Sequence, residues 1–301
     1  MSSAAQLATP RHNVLRGIGF MIAGVFLFAA NDTLGKIMLG TYTVSQLMVV
    51  RGAVALLVML PVLWRQGLPI LVRRDRPGLQ LLRFVLAPAE ASLFFWALIT
   101  LPLADVITYY QAAPIWVTAL SVFLLRERVG WRRWTAVFVG FAGVVLALHP
   151  EGSVSLGALS ALAGSVGYAL YLIVTGKLAT TPRAVLMAQQ ALATLLYGAA
   201  IMLFEGWAMP DRTDALLMVV LGLGSLAGNL CVNLSLRLGP AVSIVPFQYT
   251  MLLWGIVFGW VVFGDLPGVS GLAGAALIVG AGLFILLREH RLAARNPTRR
   301  R

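Results

Sequence analysis

Charged side chains interrupt three of the long apolar stretches in this sequence. There are four of them: Asp32, Lys36, Arg51 and Glu90. A charge in the middle of a bilayer commonly costs ~2.5 to 3.5 kcal/mol on insertion scales, so such residues are rare and usually serve a substrate or ion pathway. Two of the four are acidic and two are basic, so their formal charges cancel. We therefore predict that they meet in one polar cavity inside the membrane.

The residue types suggest a role for each charge in binding a small organic solute. Arg51 is the favoured partner for a carboxylate because a guanidinium can bind both carboxylate oxygens, and Lys36 is the second candidate. Asp32 and Glu90 would then face an amino group or carry a coupling proton.

A purely structural alternative remains open for the same residues. Asp32 and Lys36 stand one helical turn apart and could simply pair along one helix. Arg51 could extend outward to the headgroups, and Glu90 could stay protonated against a neighbouring helix.

Aromatic and amide side chains form a second set of candidates, in two apolar stretches that resemble each other. These candidates are Tyr110, Gln111, Gln248 and Trp254. A few polar groups on a mostly apolar wall are typical of sites for small organic solutes, although hydrogen bonds between helices use the same residue types. We predict that these four side chains contribute to a substrate site. Pro114 and Pro246 interrupt the same two stretches and are expected to kink them.

The composition indicates a membrane protein. The 301 residues are 59% hydrophobic and only 11% charged, with a mean hydropathy of +0.87, whereas soluble domains are about 25% charged. A spanning helix needs roughly 20 apolar residues, and the ten-residue alternation of a membrane barrel is absent. We predict an all-α polytopic membrane protein with ten transmembrane helices, near residues 16–38, 44–64, 79–100, 104–125, 131–149, 155–176, 182–204, 214–236, 240–263 and 270–287.

The basic residues predict the orientation of these helices. With a cytoplasmic N-terminus, 20 of the 23 Lys and Arg residues fall at cytoplasmic ends, Arg83 among them, while the opposite ends hold Arg212 and six acidic residues. Lys and Arg near span ends favour the cytoplasmic side, so both termini are expected there. The basic tail RNPTRRR is then expected to meet anionic lipids at the cytoplasmic face, and we expect no nucleic-acid partner.

The two halves of the chain resemble each other at a spacing of roughly 140 residues. Gly-Lys occurs at Lys36 and again at Lys177, and ADVITYYQAAPIW in the first half matches AVSIVPFQYTMLLW in the second. Each of these stretches is followed by an acid near a turn, Glu127 and Asp265. Five helices per copy place the second copy upside down, as in secondary transporters whose substrate binds between inverted repeats. The predicted copies are 1–150 and 151–301, the second including the basic tail.

Two stretches carry a family resemblance. From Leu101 the chain reads LPLADVITYYQAAPIWVTALSVFLLRERVGWRRW, and later it reads VPFQYTMLLWGIVFGWVVFGDLPG. Both resemble the drug/metabolite transporter superfamily, specifically its EamA-type ten-helix carriers. Lys36 and Arg51 also resemble family positions, so the resemblance covers nearly the whole chain. One departure is Asp265, where the family more commonly has glutamate.

The resemblance implies a transporter of the cytoplasmic (inner) membrane that moves small organic metabolites by alternating access. Amino-acid export is the preferred function. Related carriers move S-adenosylmethionine or riboflavin, and a lipid flippase could use the same cavity, so these alternatives stay open. The sequence contains no HExxH, no GxSxG and no phosphate-binding loop. We therefore expect neither an enzyme nor a primary pump, and no cofactor or metal. The oligomeric state is left open.

Overall fold

The computed structural model describes residues 11–66, 76–124, 130–147, 155–178 and 180–295. Helices joined by short turns make up these ranges, and no strand occurs in them. The α-helices are α1 (Arg11–Met38), α2 (Val44–Gln66), α3 (Pro77–Thr100), α4 (Leu103–Gln111), α5 (Ala113–Leu124), α6 (Trp131–Ala147), α7 (Leu156–Lys177), α8 (Arg183–Glu205), α9 (Arg212–Leu238), α10 (Ala241–Ile244), α11 (Thr250–Phe258) and α12 (Val269–Arg295).

Nine helical stretches among the described residues are long and apolar enough to cross a membrane. The tenth is α6, whose 17 residues lie at the short end of the range of roughly 17 to 25 residues observed for membrane helices. These ten stretches correspond to the ten helices predicted from the sequence. The prediction of an all-α, multi-pass membrane protein is therefore confirmed.

Two of the ten spans are broken, and a proline lies at each break. The fourth span divides into α4 and α5 at Ala112, two residues before Pro114. The ninth begins with α10 and a 3₁₀ turn that contains Pro246, continues as α11, and ends in a π-helical turn before Gly264. Because proline has no backbone N–H and its ring clashes with the preceding turn, regular α-helix is interrupted there. The breaks fall in the two stretches whose sequences resemble each other.

The helices pack in pairs that join the two halves of the chain. The most extensive pairs are α1 with α9, α2 with α8, α3 with α7, and α6 with α12, and α4 also contacts α11. Most of the packing between helices therefore lies between the halves rather than within either of them, which places any central cavity between the two halves.

Glycines allow two of these pairs to approach closely. A Cβ atom on Gly52 of α2 would lie 2.5 Å from the backbone nitrogen of Leu195, and one on Gly198 of α8 would lie 2.8 Å from backbone atoms of α2. Gly143 and Gly274 meet in the same way between α6 and α12. Membrane helices associate largely through such close packing, because lipid offers no hydrophobic driving force for helix pairing.

Candidate functional site

A cavity of about 110 Å³ lies between α2 and α3 of the first half and α8 and α9 of the second. Small and apolar residues form much of its wall. Its polar lining residues are Arg51, Gln190, Thr194, Ser225 and Asn229. A mainly apolar wall with a few convergent polar groups is the usual form of a site for a small organic molecule.

Arg51 is the cation of this cavity. Its guanidinium carbon lies 5.1 Å from the ring centroid of Phe95, a distance at which a cation and an aromatic ring attract each other. No hydrogen bond or ion pair joins the guanidinium to another residue in the described ranges. The N–H donors of Arg51 are therefore not engaged by the protein groups that the structure describes.

Both predicted acids lie near Arg51. Asp32 on α1 and Glu90 on α3 each interact electrostatically with Arg51, and also with each other. Neither acid forms a direct ion pair within the described part of the chain. The structure thus brings three of the four predicted charges together, each from a different helix of the first half.

Lys36 has different partners. Its ammonium group donates a hydrogen bond of 2.8 Å to the carbonyl oxygen of Leu101 and forms an ion pair of 3.5 Å with Asp265. It also lies 4.8 Å from the ring centroid of Phe263. Lys36 therefore pairs with an acid of the second half rather than with Asp32, and it does not line the cavity. Its role in substrate binding stays a prediction.

Tyr110 and Gln111 lie at the end of α4. The hydroxyl of Tyr110 donates to the backbone carbonyl of Glu90 at 2.8 Å, and its ring stands edge-on to Phe94 with 4.9 Å between the centroids. Gln111 is buried, and its amide nitrogen has no hydrogen-bond partner among the described residues. Tyr110 thus contacts the backbone of Glu90, one of the three charged residues that the structure brings together, whereas Gln111 does not line the cavity. A role in binding stays a prediction for both.

Gln248 and Trp254 lie in the broken ninth span. Gln248 belongs to the 3₁₀ turn, and Trp254 of α11 stands edge-on to Phe26 of α1 with 5.0 Å between the ring centroids. Neither residue lines the cavity between α2, α3, α8 and α9. Their part in a substrate site also stays a prediction.

The sequence analysis missed most of the polar cavity wall. Gln190 and Asn229 were detectable as amides inside apolar stretches, but many such amides occur in this chain. Thr194 and Ser225 gave no signal, because both residue types are common in membrane helices. What distinguishes these four residues is the face of the helix on which they lie.

Arg83 is buried near the start of α3. The sequence analysis counted it among the basic residues at cytoplasmic ends, which stays a prediction, but the residue is only 3% exposed and its guanidinium lies among side chains of the bundle. The guanidinium donates to the hydroxyl oxygens of Thr175 (3.1 Å) and Tyr171 (2.8 Å). It also donates to the carbonyl oxygen of Leu186 (2.9 Å) and the side-chain oxygen of Gln190 (3.2 Å). All four acceptors are neutral, and they come from α7 and α8.

Comparisons with known proteins agree with this architecture. The chain matches the model of the EamA-like transporter family twice, over residues 15–149 and 155–287. A riboflavin transporter of Vibrio cholerae is 27% identical over 292 residues, which cover 95% of this chain and 98% of the relative. An S-adenosylmethionine uptake transporter of Rickettsia felis is 25% identical over 294 residues, covering 94% and 96%.

A solved crystal structure shares the fold. It aligns with a TM-score of 0.62 at 21% identity, over 94% of this chain and 99% of the other. The two matches to the family model together span nearly the whole chain, and the names of the relatives describe transporters rather than enzymes. The resemblance to EamA-type carriers is confirmed, and this multi-pass membrane protein is a member of the EamA-like transporter family.

Proposed function

We propose that the protein is a secondary carrier for a small zwitterionic metabolite, an amino acid or a molecule that bears an amino-acid group. The environment of Arg51 is the observation that supports this proposal. It is a cation in a cavity between the two halves, and no described residue binds its guanidinium directly. A carboxylate is the natural ligand of such a group, because two parallel N–H bonds combine charge with geometric specificity.

The neighbouring acids support a zwitterion over a simple anion. Asp32 and Glu90 place negative charge near Arg51, so a substrate with a carboxylate toward Arg51 and an ammonium toward the acids would be matched at both ends. S-adenosylmethionine contains this amino-acid group, and the Rickettsia felis relative is named for its uptake. One recognition element can therefore serve amino acids and S-adenosylmethionine alike.

Riboflavin is the second candidate substrate. The Vibrio cholerae relative that carries this name aligns over almost its entire length. Riboflavin has no carboxylate, so Arg51 would donate to neutral carbonyl oxygens and the acids would face hydroxyl groups. Loss of the arginine charge should then cost less than it does for a zwitterion, because a bond from a cation to a neutral oxygen lacks the charge–charge attraction of a bond to a carboxylate.

Alternating access between two inverted repeats, 1–150 and 151–301, is our proposed mechanism. The helix pairing supports it. Suppose that the first three helices of the two halves correspond, α1 to α7, α2 to α8 and α3 to α9. Exchanging the halves then turns the α1–α9 pair into the α7–α3 pair and leaves the α2–α8 pair unchanged. All of these pairs occur, and the α6–α12 pair also converts into itself. The cavity then lies between the copies, where carriers built from inverted repeats bind their substrates.

We also propose cytoplasmic termini and export as the direction of transport. The distribution of basic residues supports the first, and the family resemblance supports the second, although the Rickettsia felis relative is named for uptake. The tail at residues 296–301 lies outside the described residues, so its contact with anionic lipid stays a prediction. Transport should be measured in both directions, in vesicles of known protein orientation.

The test is transport into proteoliposomes that hold wild type, Arg51→Gln, Arg51→Lys or the control Arg16→Gln. Radiolabelled leucine, S-adenosylmethionine and riboflavin serve as substrates. We expect saturable flux of leucine or S-adenosylmethionine and a kcat/KM about 10- to 100-fold lower in Arg51→Gln, the loss expected for a hydrogen bond to a charged group. Arg51→Lys should retain part of the flux. Arg16 is exposed on α1, so its neutralisation should leave the flux unchanged.

Three other outcomes of this experiment would contradict part of the proposal. Saturable leucine flux that is indifferent to Arg51→Gln, in protein that elutes as a single folded species, would refute the carboxylate site. Flux of riboflavin alone would keep the carrier and change the substrate class. Lipid scrambling without solute flux, measured in the same vesicles, would favour a flippase.

A further inference from the structure

The side-chain amide of Gln190 has a fixed orientation. Its oxygen accepts hydrogen bonds from the guanidinium of Arg83 at 3.2 Å and from the hydroxyl of Tyr171 at 2.9 Å. An arginine side chain has donors only and stays protonated, so the oxygen of the amide must face it. The amide nitrogen is then turned away from Arg83, and it donates no hydrogen bond to a described residue. Since Gln190 lines the cavity, this nitrogen is a donor available there.

Arg83 is itself held firmly in place. Besides Gln190, it donates to Thr175 and Tyr171 of α7 and to a backbone carbonyl of α8. The hydroxyl of Tyr171 accepts from Arg83 and donates to Gln190, which closes a triangle of hydrogen bonds. A buried, fully charged guanidinium surrounded by neutral acceptors is costly in a membrane protein if helix packing is its only role. Here it holds a residue of the cavity wall in one orientation.

The hydroxyl groups of the wall have the opposite hydrogen-bonding character. Thr194 donates its hydroxyl hydrogen to the backbone carbonyl of Gln190 at 2.9 Å, and Ser225 donates to the carbonyl of Gly222 at 2.9 Å. Because a hydroxyl has one hydrogen, both groups present only acceptor lone pairs to the cavity. Donors therefore come from Arg51 on α2 and Gln190 on α8, and Asn229 on α9 keeps one amide hydrogen after donating the other to the carbonyl of Ser225. Thr194 on α8 and Ser225 on α9 add acceptors.

We propose that Gln190 is a substrate-contacting hydrogen-bond donor and that Arg83, together with Tyr171, is the positioning residue that keeps its amide in the donating orientation. This proposal rests on the proposed function. The cavity then selects solutes that place carbonyl or carboxylate oxygens toward Arg51 of α2 and Gln190 of α8. Specificity is thus set partly by Arg83, a residue that does not line the cavity.

Gln190→Glu is the first test, because it keeps the size of the side chain and both of its acceptor contacts. The carboxylate still accepts from Arg83 and Tyr171, so the thermal unfolding temperature should stay the same or rise. The donor to the cavity is lost, so KM for leucine or S-adenosylmethionine should rise about tenfold or more with little change in kcat. Asn233→Asp is the control. Its amide oxygen accepts from Arg183 at 3.1 Å outside the cavity wall, and its amide nitrogen donates to the backbone carbonyl of Asn229 at 2.8 Å, so this variant also loses a donor, while its KM should be unchanged.

A double-mutant cycle tests the positioning role of Arg83. Arg83→Met should raise KM in the wild-type background and have no further effect on KM in a Gln190→Leu background, because the amide that it positions is gone. A residue that only supports the fold would raise KM, or lower the amount of folded protein, by the same factor in both backgrounds. That additive result would overturn the positioning role.

Failure of this inference can be distinguished from failure of the proposed function. If Gln190→Glu lowers the unfolding temperature by several degrees while Asn233→Asp does not, the amide orientation is wrong, whatever the transport results. If wild type moves neither leucine nor S-adenosylmethionine nor riboflavin, the proposed function fails, and the substrate contact of Gln190 fails with it. If leucine moves and Gln190→Glu leaves KM unchanged, only the contact is refuted.

Discussion

The ion pair between Lys36 and Asp265 should control how often one end of the helix bundle opens. Lys36 lies in the last turn of α1, and Asp265 lies in the connection between α11 and α12, so the pair joins the two halves of the chain. Asp265→Asn removes the charge of one partner and keeps its size. The hydrogen bond from Lys36 to Leu101 survives, so only the contact between the halves is weakened.

The distance and the exposure of the pair set the size of the effect. Two unit charges 3.5 Å apart attract by about 5 kcal/mol at an effective dielectric constant near 20. The side chains are 15% and 40% exposed, and partly exposed pairs retain ~1 kcal/mol or less after solvent screening and lost side-chain freedom. Asp265→Asn should therefore shift the equilibrium toward states with the pair separated by up to about fivefold.

Distances between spin labels can measure this shift. Cys231 is the only cysteine of the chain, so Cys231→Ser gives a clean background for labels at Thr41→Cys and Leu266→Cys, both exposed. In lipid nanodiscs, Asp265→Asn should increase the population at long distances up to about fivefold relative to the population at short distances. Lys36→Asp should increase it further, because two acids then repel each other.

The exchange of charges is the decisive control for the same pair. The double variant Lys36→Asp with Asp265→Lys should restore the wild-type distance distribution. If Asp265→Asn leaves the distribution unchanged, or if the exchange fails to restore it, the pair does not hold the two halves together. If the exchange restores the distances while transport stays lost, Lys36 acts on the substrate, as the sequence analysis predicted.

Three further predictions concern stability and use the unfolding temperature in detergent as the measurement. Gly52→Ala places a Cβ atom 2.5 Å from the backbone of α8, so it should lower the free energy of unfolding by about 1 to 3 kcal/mol. Gly19→Ala is the control: no atom lies within 4 Å of its Cβ position, so this variant should be neutral or stabilising. Equal effects of the two variants would contradict the close packing of α2 on α8. Gln111→Leu removes a buried amide nitrogen without a described partner, so the unfolding temperature should rise; a fall would show that the amide is bonded. The hydrogen bond from Tyr42 to Asp214, with burial and nearby acids adding to it, raises the pKa of Tyr42 from its ordinary value near 10 to about 12. This raised pKa stabilises the fold fully below pH 10 and progressively less as the pH rises through 12. Tyr42→Phe should therefore lower the unfolding temperature at pH 8, and its difference from wild type should vanish near pH 12. A difference that persists at pH 12 would contradict the assignment.

The sequence was sufficient to predict the membrane spans and the approach of three of the four intramembrane charges to one another. Long apolar stretches must form helices in a bilayer, because every backbone polar group has to be satisfied within the protein. A charge inside such a stretch must find a polar environment, and this physical requirement applies to Asp32, Arg51 and Glu90 whatever the details of packing. Their approach to one another was therefore predictable without coordinates.

Lys36 and Arg83 show where this reasoning fails. Both side chains are long enough to reach partners that hydropathy cannot identify. Lys36 lies near the end of α1, where an acid from the opposite half comes within reach only through the packing of the two halves. Arg83 lies near the start of α3, where the positive-inside rule counts it as a loop charge, but α3 packs on α7 and carries it into the bundle.

The repeated Gly-Lys pairs gain a structural meaning from these contacts. Lys36 lies in the last turn of the first span and Lys177 ends the sixth, so spans that alternate in direction place the two lysines at opposite ends of the bundle. Lys177 donates to the carbonyl oxygen of Leu124 at 3.3 Å, at the end of α5. Glu127, which corresponds to Asp265, lies outside the described residues.

Each half thus uses the lysine at the end of its first helix to contact a broken span or the connection that follows it, at opposite ends of the bundle. The two contacts differ in strength. Lys36 binds a carbonyl oxygen of the first half and a carboxylate of the second half, whereas the described contact of Lys177 is one longer bond to a carbonyl oxygen of the first half. A carrier that works by alternating access must hold one end more firmly than the other in every conformation and must reverse that difference during transport. The described conformation keeps the Lys36–Asp265 pair closed, so this contact between the halves must separate before the end that contains Lys36 can open.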